Sequence, residues 1–375
     1  VSEQVAFTAL DHAHMARALV LAQRGAYTTK PNPMVGCVLA DGERVLGEGW
    51  HQRAGEAHAE VVALAAAGAA ARGATAYVTL EPCGRHGRTP PCVDALIAAG
   101  IARVVIAAAD AFQAEGDGVP RLRAAGIVVE SGLMAPAARE LNRGFFARVE
   151  RGRPWLRVKL GASLDGRTAL ADGRSQWITG PDARADVMHW RARSSALLTG
   201  SGTVRADNPR LTVRWPDDQP APAQPPVPPL RVVLDPGLAS PADSHLFDGS
   251  VATVLMHAPD ARVAGHFSRV ETLSVPERGG RLDLDVVLKA LAQRGCNEVQ
   301  VEAGATLAGA FVAAGLCDEL LVYLAPRLLG PQARPLLGLP APAGLNGVGD
   351  WRWHDVRQLG ADLRVLLRPH APAST

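Results

Sequence analysis

Short apolar runs of strand length alternate with longer segments of helical pattern along this chain, and the alternation runs twice. That order fits an α/β architecture and little else. In the first series, Met15 to Arg24 has a helical pattern that stops at Gly25, and the turn-rich TTKPNP follows. MVGCVLA and ERVLGEGW flank Asp41-Gly42, a turn pair that predicts a β-hairpin. The spacing then predicts a helix over His58 to Ala71, a strand over Ala74 to Leu80 and a helix over Cys92 to Ala99. A strand over Ala102 to Ala109, a short helix over Pro120 to Ala125, a strand over Ile127 to Glu130 and a closing helix over Pro136 to Val149 complete it. A hairpin followed by α and β units implies a sheet of mixed strand direction.

The stretch ERGRP, Glu150 to Pro154, marks the expected boundary, giving domains 1–150 and 151–375. Two domains are the default for 375 residues, because single cores rarely grow past roughly 250–300. The second series reads WLRVKLGAS as a strand, Asp182 to Ser194 as a helix and ALLTG as a strand. RVVLD and ATVLMHA follow as strands, Leu284 to Arg294 as a helix, EVQVEAG as a strand and Thr306 to Ala314 as a helix. ELLVYLAP is a strand, and WRWHDVRQLGADLRVLLRP an antiparallel pair turning at Gly360-Ala361. The Pro-rich Asp217 to Pro229 lies inside this series and reads as an extended surface loop.

A formal net charge of +2 gives no electrostatic case for a nucleic-acid partner. No apolar run approaches the roughly 20 residues that cross a bilayer, and the N-terminal stretch has no secretory h-region. The expected location is cytoplasmic, with the five cysteines reduced.

One constellation carries chemistry. His58-Ala59-Glu60 gives H-x-E, and Pro82-Cys83 and Pro91-Cys92 follow. Zinc deaminases carry H-x-E and P-C-x-x-C; here eight residues separate the cysteines. His, Cys and Cys still form a catalytic zinc set, with a fourth position open to water. Residues i and i+2 of a helix point about 200° apart, so His58 and Glu60 share a site only at a first turn. His58 opens its segment, as required. Cys92 opens a helix too, where the N-terminus favours a thiolate. Two thiolates and a neutral imidazole cancel the metal's charge, so a base matters, and Glu60 can move the proton. Cys37, Cys296 and Cys317 lack such partners and are read as core.

TTKPNPMVGCVLADG, GWHQRAGEAHAEVVAL and AYVTLEPCGRHGRTPPCVDALIAAGIARVVIA resemble the deaminase half of the bifunctional riboflavin-biosynthesis deaminase/reductase family. The long Cys–Cys loop with GRTPPC separates that family from cytidine and tRNA adenosine deaminases. The resemblance implies a cytidine-deaminase-like three-layer α/β/α domain with a mixed sheet. It also implies hydrolytic removal of the amino group of a diamino-pyrimidinone ribosylamine 5′-phosphate, with Asn32, His51, His86, Arg88 and Thr89 near the substrate. Two departures stand out. Gly84-Arg85 occupies the place of the family's Ser-His, and the segment after Asp110, AFQAEGDGV, is one residue short.

In the second series VEAGATLAGAF alone is a plain strand-to-helix turn, neither G-x-G-x-x-G nor a P-loop. Together with LGASLDGRTA, SQWITG and HWRARSSALLTGSGTVRADNPRLTVRW it resembles the reductase half of the same family. That implies a dihydrofolate-reductase-like α/β domain in which NADPH reduces the ribosyl group to ribityl. By position, Gly161, Trp177, Thr203, Asp207 and the turn Gly304, Ala305, Thr306, Leu307, Ala308, Gly309, Ala310 would contact NADPH. Ser175, Arg191, Leu211, Arg214 and Glu302 would contact the sugar phosphate, and Asp165 is a further site candidate. Arg191 and Arg214 are guanidinium forks of the kind that grip phosphate.

The expected cofactors are Zn²⁺ and NADPH. The expected partners are small pyrimidine ribosylamine phosphates and further copies of the chain, not nucleic acid or membrane. Three competing readings make different demands. A nucleic-acid deaminase needs a basic, aromatic-rich face, and only 5% of residues are aromatic. A scaffold with structural zinc needs four protein ligands. An enzyme with only one working domain would show an altered site, which the segment after Asp110 brings into question.

Overall fold

A computed structural model describes residues 6–86, 90–113, 118–215, 222–342, 344 and 349–370. The chain divides into two compact units: residues 1–152 with Gln224–Val227, and residues 153–223 with 228–375.

The first unit runs α1 (Ala9–Gln23), β1 (Gly36–Asp41), β2 (Arg44–Trp50), α2 (Ala59–Ala67), β3 (Thr75–Leu80), α3 (Cys92–Ala99), β4 (Arg103–Ala108), α4 (Gly118–Ala124), β5 (Val128–Ser131), α5 (Ala135–Leu141) and α6 (Arg143–Arg151). Its sheet has the order β2-β1-β3-β4-β5. β1 pairs antiparallel with β2 and β3, whereas β3, β4 and β5 are parallel. The hairpin turns at Gly42, whose φ of 56° is open to glycine at no steric cost. Strand residues alternate between two cores. Cys37, Leu39, Ala76, Val78, Val104 and Ile106 face α2 and α3; Val38, Ala40, Tyr77, Val105 and Ala107 face α1, α5 and α6. This is the three-layer α/β/α arrangement, and burial on both faces explains the near-continuous apolar strands.

The closing helix expected over Pro136 to Val149 is two helices broken at Asn142. Asn142 is buried, and its amide both accepts from Met34 N and donates to Met34 O, each at 2.8 Å. The side chain thus completes the backbone bonding ahead of β1, a use that helical periodicity cannot reveal. The Pro-rich segment also departs from expectation: Gln224–Val227 belong to the first unit, where Val227 N donates to Tyr27 O and Lys30 Nζ to Val227 O.

The second unit runs β6 (Trp155–Ser163), β7 (Arg167–Ala169), α7 (Pro181–Arg193), β8 (Ala196–Gly200), α8 (Ser201–Asp207), β9 (Leu230–Leu234), β10 (Thr253–His257), β11 (Glu271–Ser274), the small hairpin β12 (Glu277–Arg278) and β13 (Arg281–Leu282), α9 (Leu284–Gln293), β14 (Glu298–Val301), α10 (Ala305–Ala313), β15 (Glu319–Ala325), β16 (Arg334–Pro335), β17 (Trp351–Leu359) and β18 (Asp362–Pro369). Nine strands form one sheet in the order β11-β10-β9-β8-β14-β6-β15-β18-β17. The first seven are parallel and the final hairpin is antiparallel. Leu156, Val158, Leu160, Val299 and Val301 face the main core with α9 and α10. The opposite face of the same strands carries Arg157, Lys159, Gly161, Gln300 and Glu302. A row of polar residues therefore lies on one face of a parallel sheet, which a purely structural sheet would not favour. Among the described residues no helix is long and apolar enough to cross a membrane.

Candidate active sites

The first site is built by the starts of two helices. His58 is the N-cap of α2, with extended backbone (φ −75°, ψ 163°), and makes no capping hydrogen bond. Its ring takes no part in capping the helix, and it interacts with Glu60, which lies in the first helical turn. Gly47 and Gly49 let α2 settle on β2: a Cβ at Gly49 would lie 2.3 Å from Ala59 O. Cys92 is the first residue of α3, with Pro91 as its N-cap. Cys83 follows β3, and its Sγ accepts from Cys92 N at 3.2 Å.

His58 Nδ1 lies 3.2 Å from Cys92 Sγ and 3.6 Å from Cys83 Sγ, and the three ligand atoms all lie within 4.8 Å of one another. Metal–ligand bonds of about 2.0–2.3 Å at tetrahedral angles require ligand atoms roughly 3.5 Å apart, so the set fits a zinc ion. Close contact splits the two thiols. The hydrogen bond from Cys92 holds Cys83 down to about 4, and the same contact pushes Cys92 well up. Cys92 does open α3, as expected from the sequence, and a bound cation would favour ionisation of both thiols.

Glu60 is buried, and desolvation raises its pKa. A carboxylate that prefers its proton suits a proton carrier. His51 is buried as well, against His58. Its Nδ1 donates to Ala57 O at 3.2 Å, and Asn32 Nδ2 donates to its Nε2 at 3.1 Å. That bonding needs a neutral ring, and burial lowers the His51 pKa accordingly. The His51 and His58 rings meet edge to face at 5.3 Å. Asn32, His51, His58 and Glu60 are thus brought together from three separate segments.

His86 is exposed, three residues beyond Cys83. Arg88 and Thr89 lie outside the described residues. The two departures from the family pattern touch each other. Arg121 Nη1 donates to Gly84 O at 2.7 Å, and a Cβ at Gly118 would lie 2.9 Å from Pro82 O. Asp110 is buried, accepts from Phe112 N, and its backbone N–H donates to Glu81.

The second site gathers at the carboxyl ends of β6, β8 and β14, adjacent strands of a parallel sheet, where α/β folds place ligands. Gly161 is on β6, Thr203 and Asp207 are on α8 after β8, and Glu302 and Gly304 follow β14. Gly304 is the N-cap of α10 and contributes no side-chain cap, so the first N–H groups there face outward unclaimed by a cap. Ala308 is buried in the main core, and Gly309 abuts the backbone of Gly338, where a Cβ would lie 2.6 Å from its carbonyl oxygen. Contact from this turn therefore falls to its first residues, Gly304 to Leu307, with Ala310 further along. Trp177 is exposed and its ring is stacked by Arg184 at 4.7 Å. Ser175 is half-buried two residues before it.

Arg191 has partners within the chain. Its Nε and Nη2 grip Glu302 at 2.7 and 2.8 Å, and Nη1 donates to Thr212 O. One edge of the fork reads a carboxylate of the protein, and three of its five N–H groups are engaged within the chain. Arg214 is exposed, and desolvation together with Arg191 and Arg210 lowers its pKa, so it is the cation of this group that most gains from an anion. The Leu211 side chain is packed in the core with Val204 and Phe247, leaving only its backbone for a ligand. Asp165 accepts from the Ser163 hydroxyl and from the N–H groups of Leu329 and Gly330; it clamps a turn.

Lys159 has no counterpart among the expected site residues. The ladder pairs Val301 with Val158, which brings Glu302 beside Lys159. Burial lowers the pKa of its amine and Glu302 opposes that shift. A single Lys in a strand carries no sequence signal; only the register exposes it.

Comparison with known proteins decides the family. Residues 8–108 match the cytidine and deoxycytidylate deaminase zinc-binding region, and residues 154–364 match the RibD C-terminal domain. The riboflavin biosynthesis protein RibD of Escherichia coli is 51% identical over 364 residues, spanning 95% of this chain and 99% of that protein. The chain belongs to the RibD family. The RibD of Haemophilus influenzae is 43% identical, covering 97% of this chain and 98% of its own length. The solved structure of Acinetobacter baumannii RibD superposes with a TM-score of 0.89 at 41% identity, covering 96% and 99% of the two chains. As a RibD family member the chain is a two-domain enzyme of riboflavin biosynthesis, a zinc deaminase followed by an NADPH-dependent reductase. Its fold is the deaminase and dihydrofolate-reductase-like pair expected from the sequence.

Proposed function

We propose that the first unit removes the amino group of a 2,5-diamino-6-(5-phosphoribosylamino)pyrimidin-4-one and that the second reduces the resulting ribosylamine to its ribityl form. A relative from Thermotoga maritima, 31% identical with a TM-score of 0.84, is described as a deaminase/reductase acting on such compounds. The observation that carries the reading is the convergence of His58, Cys83 and Cys92 beside buried Glu60.

In the first site His58, Cys83 and Cys92 hold the zinc, which supplies the acidity that makes water nucleophilic at neutral pH. Glu60 takes the proton of the attacking water and delivers it to the departing amino nitrogen. The neutral His51, fixed by Ala57 O, orients Asn32 toward the ring. The segment between the two cysteines, with His86, Arg88 and Thr89, forms the substrate side.

In the second site NADPH supplies the hydride. Gly161, Trp177, Thr203, Asp207 and the start of α10 bind it; Arg214 takes the sugar phosphate, with Ser175 and the Leu211 backbone beside it. Reduction breaks the bond from the anomeric carbon to the ring oxygen, places hydride on that carbon and needs a proton on that oxygen. The Lys159 ammonium is the proton source, with the Glu302 carboxylate, held by Arg191, beside it.

The test supplies the diamino-pyrimidinone to purified protein and follows ammonia release and NADPH loss. Ammonia should appear without NADPH, and NADPH should fall when the deaminated compound is added. A zinc-loaded sample that releases no ammonia would refute the first assignment.

A further inference from the structure

The sheet face beneath α7 treats its charged groups unequally. Arg157 pairs with Glu298 and Glu319, and Arg191 with Glu302. Lys159 has no hydrogen bond or ion pair among the described residues, although Glu302 lies beside it. The bonds around Glu302 explain this. Oε1 accepts from Arg191 Nε at 2.7 Å and from Gln300 Nε2 at 3.0 Å; Oε2 accepts from Arg191 Nη2. A carboxylate oxygen offers two lone-pair directions, so Oε1 is filled and Oε2 keeps one; the Arg191 fork and the Gln300 amide together fix which way the carboxylate is turned. Gln300 is wholly buried, and its own Oε1 has no partner. An unsatisfied buried carbonyl is costly and requires a use for the amide that outweighs it.

The wall opposite is equally fixed. The Tyr323 ring centroid lies 5.9 Å from Lys159 Nζ, and its hydroxyl donates to Asp186 at 2.7 Å. Asp186 also accepts from Trp190 and Arg364. The groups around the amine are therefore Glu302 from β14, Arg191 and Asp186 from α7, Tyr323 from β15 and Arg364 from β18, and each acid among them is already engaged.

We propose that Gln300 is a positioning residue: by occupying Glu302 Oε1 it keeps that carboxylate from closing on Lys159 and leaves the amine free for the substrate. The proposal rests on the role of Lys159 given above. Removing the amide opens Oε1, Glu302 draws in the ammonium, and the proton is held more tightly.

Lys30, Lys159 and Lys289 are the chain's three lysines, so amine labelling can be read residue by residue. The experiment measures labelling of each against pH by mass spectrometry, without NADPH, in wild type, Gln300→Met and Gln300→Leu. The methionine keeps the side-chain length should leucine disturb folding. Lys159 labelling should move about one pH unit higher in the variants, with Lys30 and Lys289 unchanged as controls. The reductase kcat should fall about tenfold or more, KM should hold, and the loss of activity at high pH should shift upward with the labelling. Unchanged Lys159 labelling in both folded variants overturns the proposal. Full reductase activity in Lys159→Met would instead refute the proton-donor role, which the labelling result does not depend on.

Discussion

At the scale of single residues, the metal site was legible because its members sit in short local signals. H-x-E before an apolar helix and two Pro-Cys steps identify His58, Glu60, Cys83 and Cys92 without a fold. The reductase polar row was legible only in part. Glu302 was named by resemblance, but Lys159 becomes its neighbour, and that of Gln300, only through the parallel pairing of β14 with β6, and one-residue alternation hides them among apolar neighbours. The Arg191–Glu302 pair was hidden for the same reason, since the two lie 111 positions apart. Glu60 offers the sharpest test. Glu60→Gln removes the proton carrier and leaves the three ligands in place. Zinc content by elemental analysis should stay at the wild-type level while ammonia release falls by roughly 10²–10⁴-fold. Loss of the metal would make Glu60 a structural group.

At the scale of elements, periodicity recovered the main helices and strands but not α8, β11 or the two- and three-residue strands β7, β12, β13 and β16, and the expected closing helix of the first unit broke where a side chain replaced a backbone partner. Asn142 ends one helix and starts the next because its amide serves Met34. Close approach was also invisible. α2 lies on β2 only because Gly47 and Gly49 lack side chains, and α2 carries His58. Gly49→Ala must displace that helix, so it should cost about 1–3 kcal/mol in thermal or denaturant unfolding. Zinc affinity should weaken in the same variant, measured by competition with a chelating dye; unchanged affinity would mean that the start of α2 moves independently of its middle.

The opposite layer is tied down by Asp11. It accepts from Thr8, Tyr77 and Arg103, and Arg103 also pairs with Glu130. Burial pushes the Asp11 carboxyl up, but hydrogen bonds from Arg103, Thr8 and Tyr77 outweigh it and hold it far below the usual carboxylate range. The folded pKa is thus below the unfolded one. The stabilisation is complete above about pH 3.9 and is lost as pH falls from there toward the folded value. Asp11→Asn should lower stability by roughly 2–3 kcal/mol at neutral pH, and unfolding curves of variant and wild type should converge in acid. A gap that persists in acid would mean that Asn fails to pack there for reasons other than charge.

At the scale of the molecule, two chemistries with different requirements share one chain. The first needs a cation held by one imidazole and two thiols. The second, as proposed, uses the Arg191–Glu302 pair and the Lys159 amine. Neither set contains a residue of the other, so the two activities should be separable by treatment and by mutation. Prolonged dialysis against a chelator removes the cation from its three-ligand seat; ammonia release should vanish and return on adding zinc, while NADPH consumption with the deaminated substrate persists throughout. The converse is Arg191→Ala. Truncating one partner of a buried, hydrogen-bonded pair leaves Glu302 charged and uncompensated, at a cost of about 3–5 kcal/mol to that arrangement. Freed Glu302 then has Lys159 as its nearest cation. Reductase kcat should fall at least a hundredfold with zinc content and ammonia release at wild-type values. If ammonia release fell in parallel, the two units would depend on each other for folding or for substrate handling, and the separation argued from their residues would be wrong.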